Sequence, residues 1–220
     1  MIELPEDEVR YLRSIRPERL DRAWEKGWRH FGPVFFRETK QPNRGRDCLV
    51  LPLRIDLGAF RPGRTQRKLW AKSGFLKAEF SLAAFGDEKE ALFRKHVTRF
   101  THHLPESLEH FLGDEPQRVP APIHECRLTD GETLVAVGFF DRGERAASAI
   151  YTMWDPAYHE ASPGILMVLH EIEWAKAQGL SWLYTGYYFR EPSDYSYKAS
   201  FHATQYYDWK GNWKPLDETP

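Results

Sequence analysis

A mixed α/β fold, with helices flanking a central mixed sheet, is the architecture the sequence predicts. Three observations predict it. Residues 146–188 read as strand, loop, amphipathic helix and strand in direct succession, the pattern of a β-loop-α-β unit. Runs of β-branched and aromatic residues at 34–37, 48–57, 75–82, 123–128 and 134–140 interleave with helical runs at 17–30 and 89–100. Finally, 220 residues can bury a proper core without disulfides or metal, and one domain is the default at that length. The main sheet is expected chiefly from residues 75–82, 123–154 and 180–188. An N-terminal basic part, 1–74, precedes a larger region, 75–220. The two form separate small lobes or one compact domain.

Taken in order, residues 17–30 carry Leu20, Ala23, Trp24 and Gly27-Trp28 on one side, which predicts a helix ended by Gly32. Strands 34–37 and 48–57 follow, separated by a polar loop over 38–47. Residues 61–72 are the most basic run and read as the start of a helix. The alternation in 75–82 fits a strand. In 89–100, Leu92, Phe93, His96 and Phe100 share a helical face. His102-His103 has no carboxylate or cysteine at ligand spacing and reads as a polar helix end. A short helix over 105–113 leads to strands 123–128 and 134–140, joined by the turn dipeptide Asp130-Gly131.

Strand 146–154 is stopped by Pro156, since proline cannot donate to a sheet ladder. Ser162-Pro163 is an N-cap followed by proline at the first helical position. Ile165, Val168, Leu169, Ile172 and Ala175 then form one apolar stripe, while His170, Glu171, Glu173, Lys176 and Gln178 fall off it. Gly179 is placed to end the helix, and 180–188 returns as a strand. The helix N-terminus, with its free amides, faces whatever lies between the strands. Near the end, Trp209-Lys-Gly-Asn-Trp213 has the composition of a hairpin turn.

The net charge of −1 conceals an asymmetry. Residues 1–80 hold 18 Lys and Arg against 11 Asp and Glu, and the remainder holds 13 against 21. A basic N-terminal part suits a polyanion on one face, or two halves that neutralise each other. An aromatic content of 15%, with eight Trp, fits a ring-lined groove as well as a core. Two cysteines, Cys48 and Cys126, make neither a disulfide framework nor a metal site of their own. No apolar run nears the roughly 20 residues a membrane helix needs, and the acidic N-terminus is unlike a signal peptide. A cytoplasmic protein without a membrane partner is the expectation.

Tyr151-Thr-x-x-Asp155-Pro156, a glycine at the helix start (Gly164), Tyr184-x-Gly-Tyr187-Tyr and Tyr197-Lys198-x-x-Phe201 occur here in a specific order. This set resembles the C-terminal region of the arginyl-tRNA–protein transferases, whose bacterial relatives transfer leucine. Gly27-Trp-Arg-His-Phe-Gly-Pro, Pro52-Leu-Arg-Ile55 and Phe60-Arg-Pro-Gly-Arg64-Thr-Gln66-Arg67-Lys68 extend the resemblance to most of the chain, with 83–130 weakest. The resemblance implies a GNAT-like fold and an aminoacyltransferase activity. Two features depart from the family. Pro163-Gly164-Ile165 stands where the family usually has Leu-Gly-Thr, and the family's cysteine cluster, linked to an iron–sulfur centre, is reduced to Cys48. Because such a cluster needs about four protein ligands, no metal is expected, and Cys48 reads as a buried small residue or a reactive thiol.

The resemblance implies transfer of an amino acid, arginine first and leucine second, from aminoacyl-tRNA to an amine. The acceptor would be a protein or peptide N-terminus or a small molecule, and no cofactor beyond the aminoacyl-tRNA co-substrate is expected. Such a reaction needs alignment, help with one proton and a stabilised oxyanion, but no covalent enzyme intermediate. Arg64, Arg67 and Lys68 would hold RNA phosphates, with Gln66 making a specific hydrogen bond; the run alone favours a solvated helix start, and the resemblance reverses that for Arg64, Gln66 and Arg67. Asp155 would bind an ammonium group, or else is a turn carboxylate. Tyr151, Tyr187 and Tyr197 offer hydroxyls and ring faces to the terminal adenosine or amino acid, or are core aromatics. Gly164 belongs to the helix start beside them, and Lys198, with Arg190, would meet an acceptor carboxylate. Other classes stay open: a GNAT enzyme using acetyl-CoA, though His159-Glu-Ala-Ser-Pro-Gly lacks its pyrophosphate-cradling glycines, and a non-catalytic RNA- or peptide-binding descendant.

Overall fold

A computed structural model describes residues 6–43, 45–100 and 106–216. The His102-His103 pair lies outside the described residues. In chain order the elements are β1 (Glu8–Tyr11), α1 (Pro17–Glu25), β2 (Arg29–Phe31), β3 (Val34–Arg37), β4 (Lys40–Asn43), β5 (Arg46–Asp56), α2 (Arg64–Lys72) and β6 (Lys77–Leu82). Then come α3 (Asp87–Val97), α4 (Glu109–Leu112), β7 (Ile123–Asp130), β8 (Thr133–Arg142), β9 (Ala146–Trp154), α5 (Pro163–Ala177), β10 (Trp182–Phe189), β11 (Thr204–Tyr207) and β12 (Trp213–Pro215). Two 3₁₀ turns, Pro156–Ala161 and Ser196–Ser200, precede α5 and follow β10.

Nine strands form the main sheet in the order β12-β11-β5-β10-β9-β8-β7-β6, with β4 hairpinned onto β5; β1, β3 and β2 make a small antiparallel sheet. Every pairing is antiparallel except β9 with β10, whose connection runs through α5. Strand β5 lies between β10 and β11, so residues on both sides of position 74 share one sheet. Helix α5 covers one face with Leu166, Val168, Leu169, Ile172 and Ala175, packed on Leu128, Ala136, Phe140 and Leu183. Leu92 and Phe93 of α3, with Phe111 and Leu112 of α4, cover the other face over Val137, Phe139, Ile150 and Met153. Each such fully buried side chain contributes roughly 1.5–3 kcal/mol to that layering. Among the described residues no helix is long and apolar enough to cross a membrane.

Several local expectations change. The helix expected over 17–30 stops at Glu25, because Gly27 adopts φ +81° and Trp28 N–H reaches back to Ala23 O while Gly27 N–H bonds Trp24 O. That is a Schellman cap, and it frees Arg29 to start a strand. The polar loop expected over 38–47 is instead the β4–β5 hairpin; Lys40-Gln-Pro-Asn43 lacks alternation and is held as strand by its partner's edge. Ser162 occupies the N-cap position of α5, but at φ 48°, ψ 57° its side chain caps nothing. Glu171, expected on the polar face of that helix, is 1% exposed. The hairpin expected around 209–213 is the β11–β12 turn, where Asp208 accepts from Lys210 N and Asn212 N.

Candidate active site

Strands β9 and β10 pair only from Ala146/Trp182 to Ser148/Tyr184 and then part. A bulge in β10 between Tyr184 and Gly186, and another in β9 at Ile150, opposite Phe139 and Phe140 of β8, accompany the opening. Parting leaves carbonyls of β9 without strand partners, an arrangement that needs another donor. The donor is Arg29, whose Nη2 bonds both Ala149 O and Ile150 O at 3.0 Å. The guanidinium fits because residue 186 is glycine at φ +89°: a Cβ there would lie 1.7 Å from Arg29 Nη1. Strand β2 is fixed at this depth by His30, whose Nε2 meets Asp141 Oδ2 at 2.6 Å while Nδ1 donates to Gly32 O at 2.9 Å. Burial would lower the His30 pKa, but the Asp141 carboxylate outweighs it and raises the value above that of a free imidazole.

Around this opening the structure gathers several of the residues singled out in sequence. Tyr151 stacks on Phe111 at 3.9 Å, and its buried hydroxyl has no protein partner among the described residues. Burial pushes that hydroxyl's pKa up. Gly164, at the start of α5, has Trp154 Nε1 and the Tyr197 ring within 4.0 Å of where its Cβ would be. Arg99 lies over the Trp154 ring at 3.8 Å. Lys198 is buried, donates to Tyr187 O at 3.1 Å and lies 4.7 Å from the Tyr195 ring centre. Burial first, and then the charge of Arg29, hold its amine well below the usual lysine pKa, with Glu171 opposing.

Glu171 projects from α5 beneath the sheet, next to Gly138, and neither carboxylate oxygen has a hydrogen-bond partner among the described residues. Burial pushes its pKa up to about 8, with Lys198 pulling the other way. Sequence reasoning missed both Arg29 and Glu171. Glu171 sits one residue off the apolar stripe, so periodicity assigned it to solvent. Arg29 lay inside the quoted Gly27–Pro33 segment, but nothing local distinguishes it from the neighbouring arginines.

The remaining expected site residues fall nearby, several with their polar groups already engaged. Asp155 ends β9 and caps the first 3₁₀ turn: Oδ1 accepts from Ala157 N at 3.0 Å and Oδ2 from Lys95 at 2.6 Å. Burial would raise its pKa, but Lys95 and the Ala157 amide outweigh that and lower it. Tyr187 bridges the N-terminal segment, donating to Gly27 O at 3.2 Å and accepting from Glu38 N at 3.3 Å. Gln66 is buried; its Oε1 caps α2 at Gly63 N and its Nε2 donates to Ser200 O at 3.3 Å. That bond ties α2 to the 3₁₀ turn carrying Tyr197 and Lys198. Arg64, Arg67 and Lys68 face solvent on α2, while Trp70 of the same helix packs on His170 of α5.

The donor set does not fit an iron–sulfur cluster. Cys48 and Cys126 are buried on β5 and β7. With β10, β9 and β8 between them, these strands are about 19 Å apart at ~4.8 Å per strand. Among the described residues no group of three or more His, Cys, Asp or Glu is arranged to hold a metal ion.

A mixed sheet opened between two parallel strands, with a long helix starting at the opening, defines a GNAT-like fold, and that opening is the candidate site. Comparison with known proteins gives the family. Residues 88–208 match the family model described as "Arginine-tRNA-protein transferase, C terminus". A protein of Thiobacillus denitrificans named aspartate/glutamate leucyltransferase is 32% identical over 199 residues, spanning 87% of this chain and 78% of the relative. One of the same name from Stenotrophomonas maltophilia is 29% identical over 218 residues, spanning 94% and 82%. The chain belongs to the arginine-tRNA–protein transferase family, and it is an aminoacyltransferase. Among solved structures, the C-terminal domain of a putative lysylphosphatidylglycerol synthetase from Agrobacterium fabrum superposes with a TM-score of 0.50 at 15% identity, covering 81% of this chain and 53% of that one. That likeness concerns the fold alone.

Proposed function

We propose that this enzyme transfers leucine from leucyl-tRNA to the N-terminal aspartate or glutamate of a protein. The observation that carries this reading is that relatives named for that activity align over 87–94% of the chain, including both the groove and the basic helix α2. Leucine thereby moves ahead of arginine, the first expectation from sequence.

The chemistry is aminolysis of an activated ester. The acceptor's α-amine attacks the leucyl carbonyl, a C–N bond forms, the C–O bond to the terminal ribose breaks, and the amine's surplus proton must leave. Lys198, its pKa held below the usual lysine range by burial, accepts that proton; the ribose oxygen takes one as it departs. Tyr151, Trp154 and Tyr197 supply ring faces for the terminal adenosine, and the free Tyr151 hydroxyl supplies a hydrogen bond. Arg64, Arg67 and Lys68 hold acceptor-stem phosphates on the outer face of α2, beside the turn that carries Lys198.

The test incubates purified protein with a pool of radiolabelled aminoacyl-tRNAs and peptides of every N-terminal residue, with acetyl-CoA and the same peptides in parallel. Leucine moving to Asp- and Glu-initiated peptides is expected. Arginine in its place would overturn the donor assignment, and acetyl transfer alone would overturn the reaction class.

A further inference from the structure

We infer that Arg29 selects the acceptor: its guanidinium, set in the gap between β9 and β10, binds the side-chain carboxylate of the N-terminal aspartate or glutamate. The inference rests on the leucyl-transfer reading and assigns its acceptor subsite to a residue outside the motifs at the C-terminal end of the chain.

Three observations lead to it. The Arg29 guanidinium lies over the Phe31 and Tyr187 rings at 5.9 and 5.5 Å, and its hydrogen bonds among the described residues use one nitrogen alone. Nη2 is held by Ala149 O and Ile150 O, whereas Nε and Nη1 have no acceptor among the described residues. No described carboxylate forms an ion pair with it; Asp141, the acid whose charge it feels, already holds His30 at 2.6 Å. A part-buried guanidinium without a counter-ion is costly, and it is worth retaining where an anionic ligand supplies the missing charge. Each N–H left over on Nε and Nη1 can donate a charge-assisted hydrogen bond to a carboxylate oxygen, which gives direction as well as attraction.

The position also suits the acceptor rather than the RNA. A side-chain carboxylate is a terminal group on a slender stem and can enter a gap between two strands. A backbone phosphate is flanked by two riboses and fits the open face of α2 instead. The α-amine of an N-terminal Asp or Glu lies only a few bonds from its side-chain carboxylate. An anchor at Arg29 therefore delivers the amine toward Lys198, the other buried base of the groove. Neutralising Arg29 also removes a charge that depresses the basicity of Lys198, so a bound acidic side chain strengthens the proton acceptor it needs.

The test compares wild type and Arg29→Gln with peptides that begin Asp, Glu, Asn or Gln, the amides keeping the shape and removing the charge. R29Q is expected to lower kcat/KM about 100-fold for the acidic peptides and less than about 3-fold for the amides, with KM for leucyl-tRNA unchanged. An equal fall on all four peptides would show that Arg29 only plugs the sheet, and would overturn the inference. So would a raised KM for leucyl-tRNA with acidic selectivity intact, the mark of a phosphate ligand. If R29Q does not fold, Arg29→Lys keeps a charge but cannot hold the two β9 carbonyls and a carboxylate together; a reduced Asp-to-Asn ratio is expected, and an unchanged ratio overturns the idea. Calorimetric titration of the unloaded protein with Asp and Asn peptides separates the two proposals. A preference for Asp that R29Q abolishes sustains the acceptor site even if no leucine is transferred; no preference in wild type overturns it.

Discussion

Replacing Glu171 by glutamine tests the electrostatics of the groove most directly. The carboxyl is 1% exposed and its oxygens have no hydrogen-bond partner among the described residues, so solvent screening does not weaken the effect. Its pKa is about 8 in the folded protein against 4.5 in the unfolded chain. A carboxyl whose folded pKa is raised contributes stability that is fully present below pH 4.5 and is lost as pH rises through 8. At about 1.4 kcal/mol per pH unit, the complete loss is roughly 5 kcal/mol, and roughly 4 kcal/mol of it falls between pH 5 and pH 9. A glutamine side chain does not titrate, so Glu171→Gln removes this slope while keeping the volume. Urea unfolding of both proteins at pH 5, 7 and 9, with the m-value checked for constancy, measures it. The mutant should gain on wild type by roughly 4 kcal/mol across that range. A stability difference that stays flat with pH would refute the reasoning, because it would mean that Glu171 is ionised throughout as the partner of Lys198.

Lys198→Met keeps the stem and removes the amine; kcat should fall by roughly 10²–10⁴, the usual worth of a positioned general base, with KM for leucyl-tRNA within about twofold of wild type. A variant that keeps full turnover would remove Lys198 from the reaction. The triple change Arg64→Ala, Arg67→Ala, Lys68→Ala should weaken leucyl-tRNA binding and make its logarithmic salt dependence shallower by roughly 2 to 3; unchanged affinity and slope would place the RNA elsewhere. Elemental analysis of anaerobically purified protein is expected to find neither iron nor zinc in stoichiometric amount, since the two thiols are separated by three strands of the sheet. One metal per chain would refute that.

The sequence by itself determined the β9–α5–β10 unit, the β7–β8 and β11–β12 hairpins and the family. These rest on local signals: proline after a strand, apolar residues at helical spacing, glycine at a turn, and motifs whose members lie within a few residues of one another. It also placed Tyr151, Gly164, Tyr197 and Lys198 in one neighbourhood, because they flank a single strand–helix–strand crossing. Tertiary structure decided what the polar side chains do. Arg29 reaches carbonyls 120 and 121 residues away. Gln66 bonds a carbonyl 134 residues away, and Asp155 holds a lysine 60 residues away. Glu171 is buried because residue 138, across on β8, is glycine and leaves room for its carboxyl. A side chain's charge state and partner depend on the dielectric and the donors around it, and those come from segments that only the folded sheet brings together.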